Sequence, residues 1–185
     1  DWLVKKKNRV LHAHAIKLLA VSSYFILLFF FAERYLFNYF FRYPYEYSQA
    51  WQHGYATVVD TAKIHYKDYD QIIVTKKYGE PHEFFLYFWP WDPSKYLNDS
   101  NLIRYPQSNW FWVDRFDKFY FVNDWEIPKD KNVEWKTEKD LEISLENKKT
   151  LLITSPNNFP GEGWEKLRRI YFKDGSPAFD ILKSQ

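Results

Sequence analysis

The chain has 185 residues, 46% of them hydrophobic and 22% aromatic, with no cysteine and a net charge of +2. Without cysteine it can have neither disulfides nor thiolate metal sites, so packing alone must hold any folded part. The charge is uneven: seven of the 26 Lys/Arg but two of the 24 Asp/Glu fall in residues 1–42. The basic excess therefore belongs to one end, and no nucleic-acid surface is implied.

Residues 1–17 read as a basic flank, a turn or the end of a preceding loop, with Lys5, Lys6, Lys7 and Arg9 close together. His12 and His14 lie two apart, too far round a helix to share a metal. Residues 18–32, LLAVSSYFILLFFFA, contain no charge, proline or glycine. A helix over residues 13–32 would span about 30 Å, the depth of the hydrocarbon layer. Lys17, near one end, can snorkel to the headgroups. This predicts one transmembrane helix, with its aromatic interface running over residues 18–41 in all. Basic residues before it put that end in the cytoplasm and residues 42–185 outside, at the cell membrane. A signal peptide fits poorly, because Phe30 stands where a cleavage site needs a small residue. The chain contains no methionine, so it is expected to be a fragment whose helix is internal to a longer protein.

Beyond the helix, Tyr and Phe residues of 33–47 suit the membrane interface, and Pro44 should end the helix nearby. Residues 47–66 predict an amphipathic helix with Trp51, Tyr55, Val58, Val59 and Ala62 on one face and Ser48 as its cap. Residues 68–70 form a turn, and residues 71–75, QIIVT, form a strand covered on both faces, as in a parallel sheet. A loop over residues 76–81 leads into a helix over residues 82–88, with a further short turn at residues 92–96. Strands follow at residues 110–113 and 118–122 around a turn at residues 114–117. Residues 123–141 read as a polar insertion. Residues 150–154, TLLIT, are another covered strand. Asp174-Gly175 between alternating runs at residues 168–172 and 178–182 marks a β-hairpin. The predicted fold class is α/β: an N-terminal transmembrane helix, then a small extracytoplasmic layer domain with a mixed sheet and a C-terminal hairpin.

Two stretches carry candidate chemistry. In residues 76–81, Lys76, Lys77, Tyr78, Gly79 and Glu80 leave the carboxyl end of a strand, where α/β proteins gather ligands. The lysines, with the N–H groups of the next helix, could hold an anion; a solvated turn with Glu80 as cap is the alternative. In residues 109–117, Trp110 and Trp112 beside Asp114, Arg115 and Asp117 have the makings of a sugar platform. The alternative is a half-buried strand whose Asp114 and Arg115 pair with neighbours. Asp68-Tyr69-Asp70 precedes its strand, unlike the metal-holding D-x-D of sugar-nucleotide transferases, and His82-Glu83 lacks a second histidine for zinc. No nucleotide-binding glycine pattern occurs, and no metal or other cofactor is expected.

The stretches TKKYGEPHEFFLYFWPWDPSKY, RYPQSNWFWVDRFDKFYFVNDWEIP and LLITSP, with RYPYEYSQAWQHGY before them, resemble the C-terminal outer domain of bacterial membrane glycosyltransferases of family 39. These are relatives of the dolichyl-phosphate-mannose protein mannosyltransferases, with a multi-helix GT-C fold. The resemblance spans nearly the whole chain but only the family's last portion. It implies sugar transfer from a polyprenyl-phosphate carrier outside the cytoplasm, with the bilayer, the lipid-linked donor and the remaining membrane part of the same protein as partners. The family's catalytic acid sits in its first outer loop, so no catalytic residue is carried onto this chain. Two other readings stay open: a single-pass anchored binding or scaffold protein of the envelope, and an envelope hydrolase using Asp114 with Asp117 or Glu80 with Glu83.

Overall fold

The computed structural model describes residues 2–130 and 135–184, with residues 3–11 as backbone only. It forms two compact units, residues 1–45 and 46–185.

The first unit is helical throughout. Helix α1, Trp2–Phe37, passes into a wide π-turn, Asn38–Arg42, and then into α2, Tyr43–Glu46. The basic flank is thus helical from Trp2 rather than a loop, since nothing in it breaks a helix. Pro44 does not end the helix either. In the π-turn the Tyr43 N–H donates to the Asn38 carbonyl five residues back. Such a wide turn relieves the clash between a proline ring and the carbonyl four residues before it. Residues 12–46 are long and apolar enough to cross a membrane. Leu18, Leu19, Phe25, Ile26, Phe29 and Phe31 are all exposed, on every side of the helix. A helix apolar all round needs an apolar surrounding, which a bilayer supplies.

The second unit is an α/β layer domain around a seven-stranded mixed sheet. Its strands are β1 (Gln71–Thr75), β2 (Ile103–Gln107), β3 (Trp110–Phe116), β4 (Phe119–Val122), β7 (Thr150–Thr154), β8 (Trp164–Tyr171) and β9 (Pro177–Ser184), in the order β2-β3-β4-β1-β7-β9-β8. The pair β5 (Trp135–Lys136) and β6 (Glu142–Ile143) stands apart. β1 is parallel to both β4 and β7; all other pairs are antiparallel, including the expected β8–β9 hairpin. Both faces of β1 are covered, which is why its apolar run is continuous. Ile72 and Val74 meet the helices α3 (Tyr55–Ile64), α4 (Pro81–Phe88) and α5 (Pro93–Leu97) through Val58, Val59, Phe85 and Tyr96. Ile73, with Tyr120, Leu152 and Leu182, meets Ile127, Trp135 and Ile143 on the opposite face. Each fully buried side chain of this kind contributes about 1.5–3 kcal/mol.

Several boundaries differ from the sequence expectation. The helix expected over residues 47–66 starts only at Tyr55, because Gly54 adopts φ 111°, a left-handed turn that stops any helix arriving from Ser48. Trp51 is consequently exposed while Tyr55, Val58, Val59 and Ala62 are buried. Ser48 caps nothing; its hydroxyl accepts from the Lys173 N–H at 3.2 Å. Strand β2 has no counterpart in the sequence reading. Strand β3 runs on through Asp114 to Phe116, so the turn shrinks to Asp117-Lys118. In the insertion, residues 131–134 lie outside the described residues, and the rest supplies β5 and the cover for Ile73.

Candidate functional site at the carboxyl ends of the parallel strands

After β1 the chain leaves to the helix face through α4; after β4 it leaves to the other face through Ile127 and Trp135. Neighbouring parallel strands whose exits diverge in this way open a crevice at their carboxyl ends, where ligands of α/β sheets bind. Thr75 ends β1 here and Lys76 to Glu80 follow it, Asn123 and Asp124 follow β4, and Ser155 to Asn158 follow β7.

Asp124 is the hub of this edge. Thr75 donates its hydroxyl to Oδ1 at 2.5 Å, Ser155 donates to Oδ2 at 2.5 Å, and Lys77 Nζ lies 3.3 Å from Oδ2. Asn158 donates its amide to the Asp124 carbonyl at 3.0 Å and accepts from Lys129. One carboxylate thereby ties the ends of all three parallel strands. A reciprocal cap between Asn123 and Glu126 holds the turn that presents it.

Lys76 and Lys77 part company. Lys77 is half-exposed, whereas Lys76 is buried with its ammonium on Asp114. Asp114 also accepts from Tyr105 at 2.9 Å and Thr137 at 2.8 Å. The ammonium lies 5.0 Å from the centre of the Trp112 ring. Asp114 owes its direction to a β-bulge: Ile103 pairs with Arg115 but Arg104 pairs with Val113, leaving Asp114 as the extra residue. Bulges re-aim side chains in this manner. Arg115 lies 4.7 Å from the Tyr120 ring centre. Neither the solvated-turn reading nor the two-lysine anion cradle therefore describes Lys76, since its charge is spent on Asp114. Asp114 in turn is held by three donors, as the paired-strand reading expects. Of the sugar-platform residues Trp110 is exposed and Trp112 partly buried. Asp117 lies in the β3–β4 turn, accepts from Tyr66 at 2.5 Å and shares no partner with Asp114.

On the helix side of this edge stand Tyr55, Glu80 and His82. Tyr55 stacks on Phe84 with ring centres 4.3 Å apart. Tyr78 rests against Phe172 and Phe179, and Gly79 takes φ 115°, which lets the loop turn under Gln52. Glu80 makes no capping bond to α4; its Oε2 lies 3.5 Å from His82 Nδ1. These two atoms and the Tyr55 hydroxyl are buried without a hydrogen-bond partner. Burial, reinforced by Lys76 and Arg104, pushes His82 down to about 4, so the ring is neutral at neutral pH. Burial raises the Glu80 carboxyl, against the pull of Lys76 and with the push of Glu83, and burial likewise raises the Tyr55 hydroxyl.

Beyond β7, Asp180 is a further buried acid. Arg169 binds it with two bonds of 2.6 and 2.8 Å, Lys166 lies at 2.8 Å, and the Asn157 N–H donates at 2.9 Å. Burial alone would raise its pKa; the bonds from Arg169, Asn157 and Lys166 bring it to about 2.

Sequence reasoning missed Thr75, Asp124, Ser155, Asp180 and Arg169. The signal was present for four of them: each of Thr75, Asp124 and Ser155 stands where an apolar strand gives way to polar residues. Asp180 inside AFDIL is a charge in an otherwise apolar strand, which needs a partner when buried. Among the described residues, no group of three or more His, Asp or Glu is arranged to hold a metal ion. Chemically the edge pairs Asp114 with buried Lys76 and Asp124 with the more accessible Lys77, and leaves Glu80 Oε2 and His82 Nδ1 without hydrogen-bond partners. Comparison of the chain with protein-family models, curated proteins and solved structures gives no match.

Proposed function

We propose that this chain is the last membrane helix and the outer accessory domain of a membrane glycosyltransferase, one that takes its sugar from a polyprenyl-phosphate carrier outside the cytoplasm. The observation that carries the reading is spatial. Three of the stretches that resemble family 39 enzymes supply the last residue of β1 with its exit loop, β3 and β4 with theirs, and most of β7 with Ser155. They thus meet at one edge of one sheet. An accessory role accords with the acids there. Asp114, Asp124 and Asp180 are each held by a lysine or arginine and by further donors, which leaves them poor proton carriers. Lys77 and exposed Trp110 are the groups with room to meet a donor phosphate or an acceptor sugar. The apolar helix is the membrane part; that the membrane is the cell membrane and the domain lies outside belongs to the same proposal.

The test is transfer of radiolabelled sugar from polyprenyl-phosphate donors in proteoliposomes. The product of the complete gene should transfer, removal of residues 46–185 from it should impair transfer, and residues 1–185 alone should be inactive. Transfer by residues 1–185 alone, or none by the complete product, would refute the proposal. A second reading, a single-pass anchored binding or scaffold protein, draws on the same satisfied acids. A complete coding sequence that begins just before Asp1 would favour it.

A further inference from the structure

We propose that the carboxyl edge of the sheet docks on the phospholipid headgroup layer through Trp51 and Trp125. These are two of the most exposed large side chains of the domain, at 68% and 78% of full exposure. They flank one loop: Gln52, next to Trp51, donates its amide to the Tyr78 carbonyl, and Lys77 pairs with Asp124, next to Trp125. The apolar helix ends at Glu46, five residues before Trp51. Five residues of chain reach at most about 18 Å, whatever their conformation. The loop bearing Trp51 is thereby held within about 18 Å of the helix end, and an indole prefers the membrane interface, which suits both its ring and its N–H. Lys77 and Lys129 add cationic groups, but the acids Asp124 and Glu126 share the edge, so the docking is driven by the aromatics and depends little on lipid charge.

The competing surface is the far half of the helix layer, where Ile64 and Tyr87 are each 76% exposed. It lies at the other end of the strands: Trp89, after α4, packs on Tyr66 and Phe119, at the start of β4. The inference rests on the helix spanning the membrane and is independent of sugar transfer.

The chain has no native cysteine, so single cysteines can carry a bimane label on the full protein in phosphatidylcholine nanodiscs. The sites are Ala50→Cys and Lys77→Cys on the docking edge, Asp68→Cys and Lys148→Cys on the opposite edge, Tyr87→Cys on the competing surface and Leu27→Cys in the helix. With a nitroxide on the lipid headgroup, positions 50 and 77 should be quenched several-fold more than 68, 87 and 148. Trp51→Ser with Trp125→Ser should remove most of the nitroxide-dependent quenching at 77 at a temperature where the domain stays folded, and adding anionic lipid should change little. Quenching at 87 or 68 equal to that at 77 would overturn the proposal, as would a double tryptophan variant that leaves position 77 quenched. An acyl-chain nitroxide that fails to quench position 27 would overturn the membrane span and the docking together; quenching there with none at 77 would overturn the docking alone.

Discussion

Lys76 and Lys77 are chemically identical neighbours with different work. Lys76 is enclosed with Asp114, and removing one partner of a buried pair strands the other charge in a medium that cannot solvate it. Lys76→Met should therefore cost about 3–5 kcal/mol, and Lys76→Met with Asp114→Leu should recover much of that loss. Lys77→Met, at an exposed pair, should stay within about 1 kcal/mol. Melting curves of the α/β domain, followed by near-ultraviolet circular dichroism, distinguish these outcomes; equal losses from both lysines would contradict the assignment. His82 gives a pH signature. Its folded pKa of about 4 lies below the ordinary 6.5, so between these values the unfolded chain binds a proton that the folded chain refuses. Its contribution is complete above pH 6.5 and is lost as pH falls toward 4. Glu80, with its raised pKa, works in the opposite sense. The fall in melting temperature between pH 6.5 and 4 should be shallower in His82→Gln than in the parent; parallel slopes would show that His82 contributes nothing to the fall.

At the scale of elements, local chemistry decides most boundaries and long-range pairing decides the rest. Strands β1 and β7, helix α4 with Pro81 in its first turn, and the β8–β9 hairpin were legible because apolar runs, proline and the Asp-Gly turn act within a few residues. β2 was hidden: Pro106 removes a ladder donor, and IRYPQ lies at the sheet edge, where apolar alternation is weak. Asp114 reads as a turn residue until Lys76, 38 residues earlier, is brought beside it. Gly54 sets the start of α3 through its left-handed backbone, and a Cβ there would come within 3.2 Å of the Phe179 ring. Gly54→Ala should lose more than the roughly 1–2 kcal/mol of a left-handed alanine. Gly175→Ala, also at positive φ but with nothing within 4 Å of its added Cβ, should lose only that amount. Equal shifts in melting temperature would show that the Phe179 contact is unimportant.

At the scale of the molecule, composition divides the chain as the fold does: a helix apolar on all sides, then a domain whose two cores lie on opposite faces of one sheet. The α/β class was legible because covered strands and helices alternate through the first half of the domain. The strand order was not, since it depends on which face each connection crosses, and that is settled by packing of residues such as Ile127 and Phe85. We propose that one helix crosses the membrane and delivers this domain to its outer side. The direct measurement labels Asn8→Cys and Lys148→Cys, each in turn, with a membrane-impermeant maleimide on intact cells. Position 148 should react at once and position 8 only after permeabilisation. Reaction of both before permeabilisation, or of neither, would contradict it.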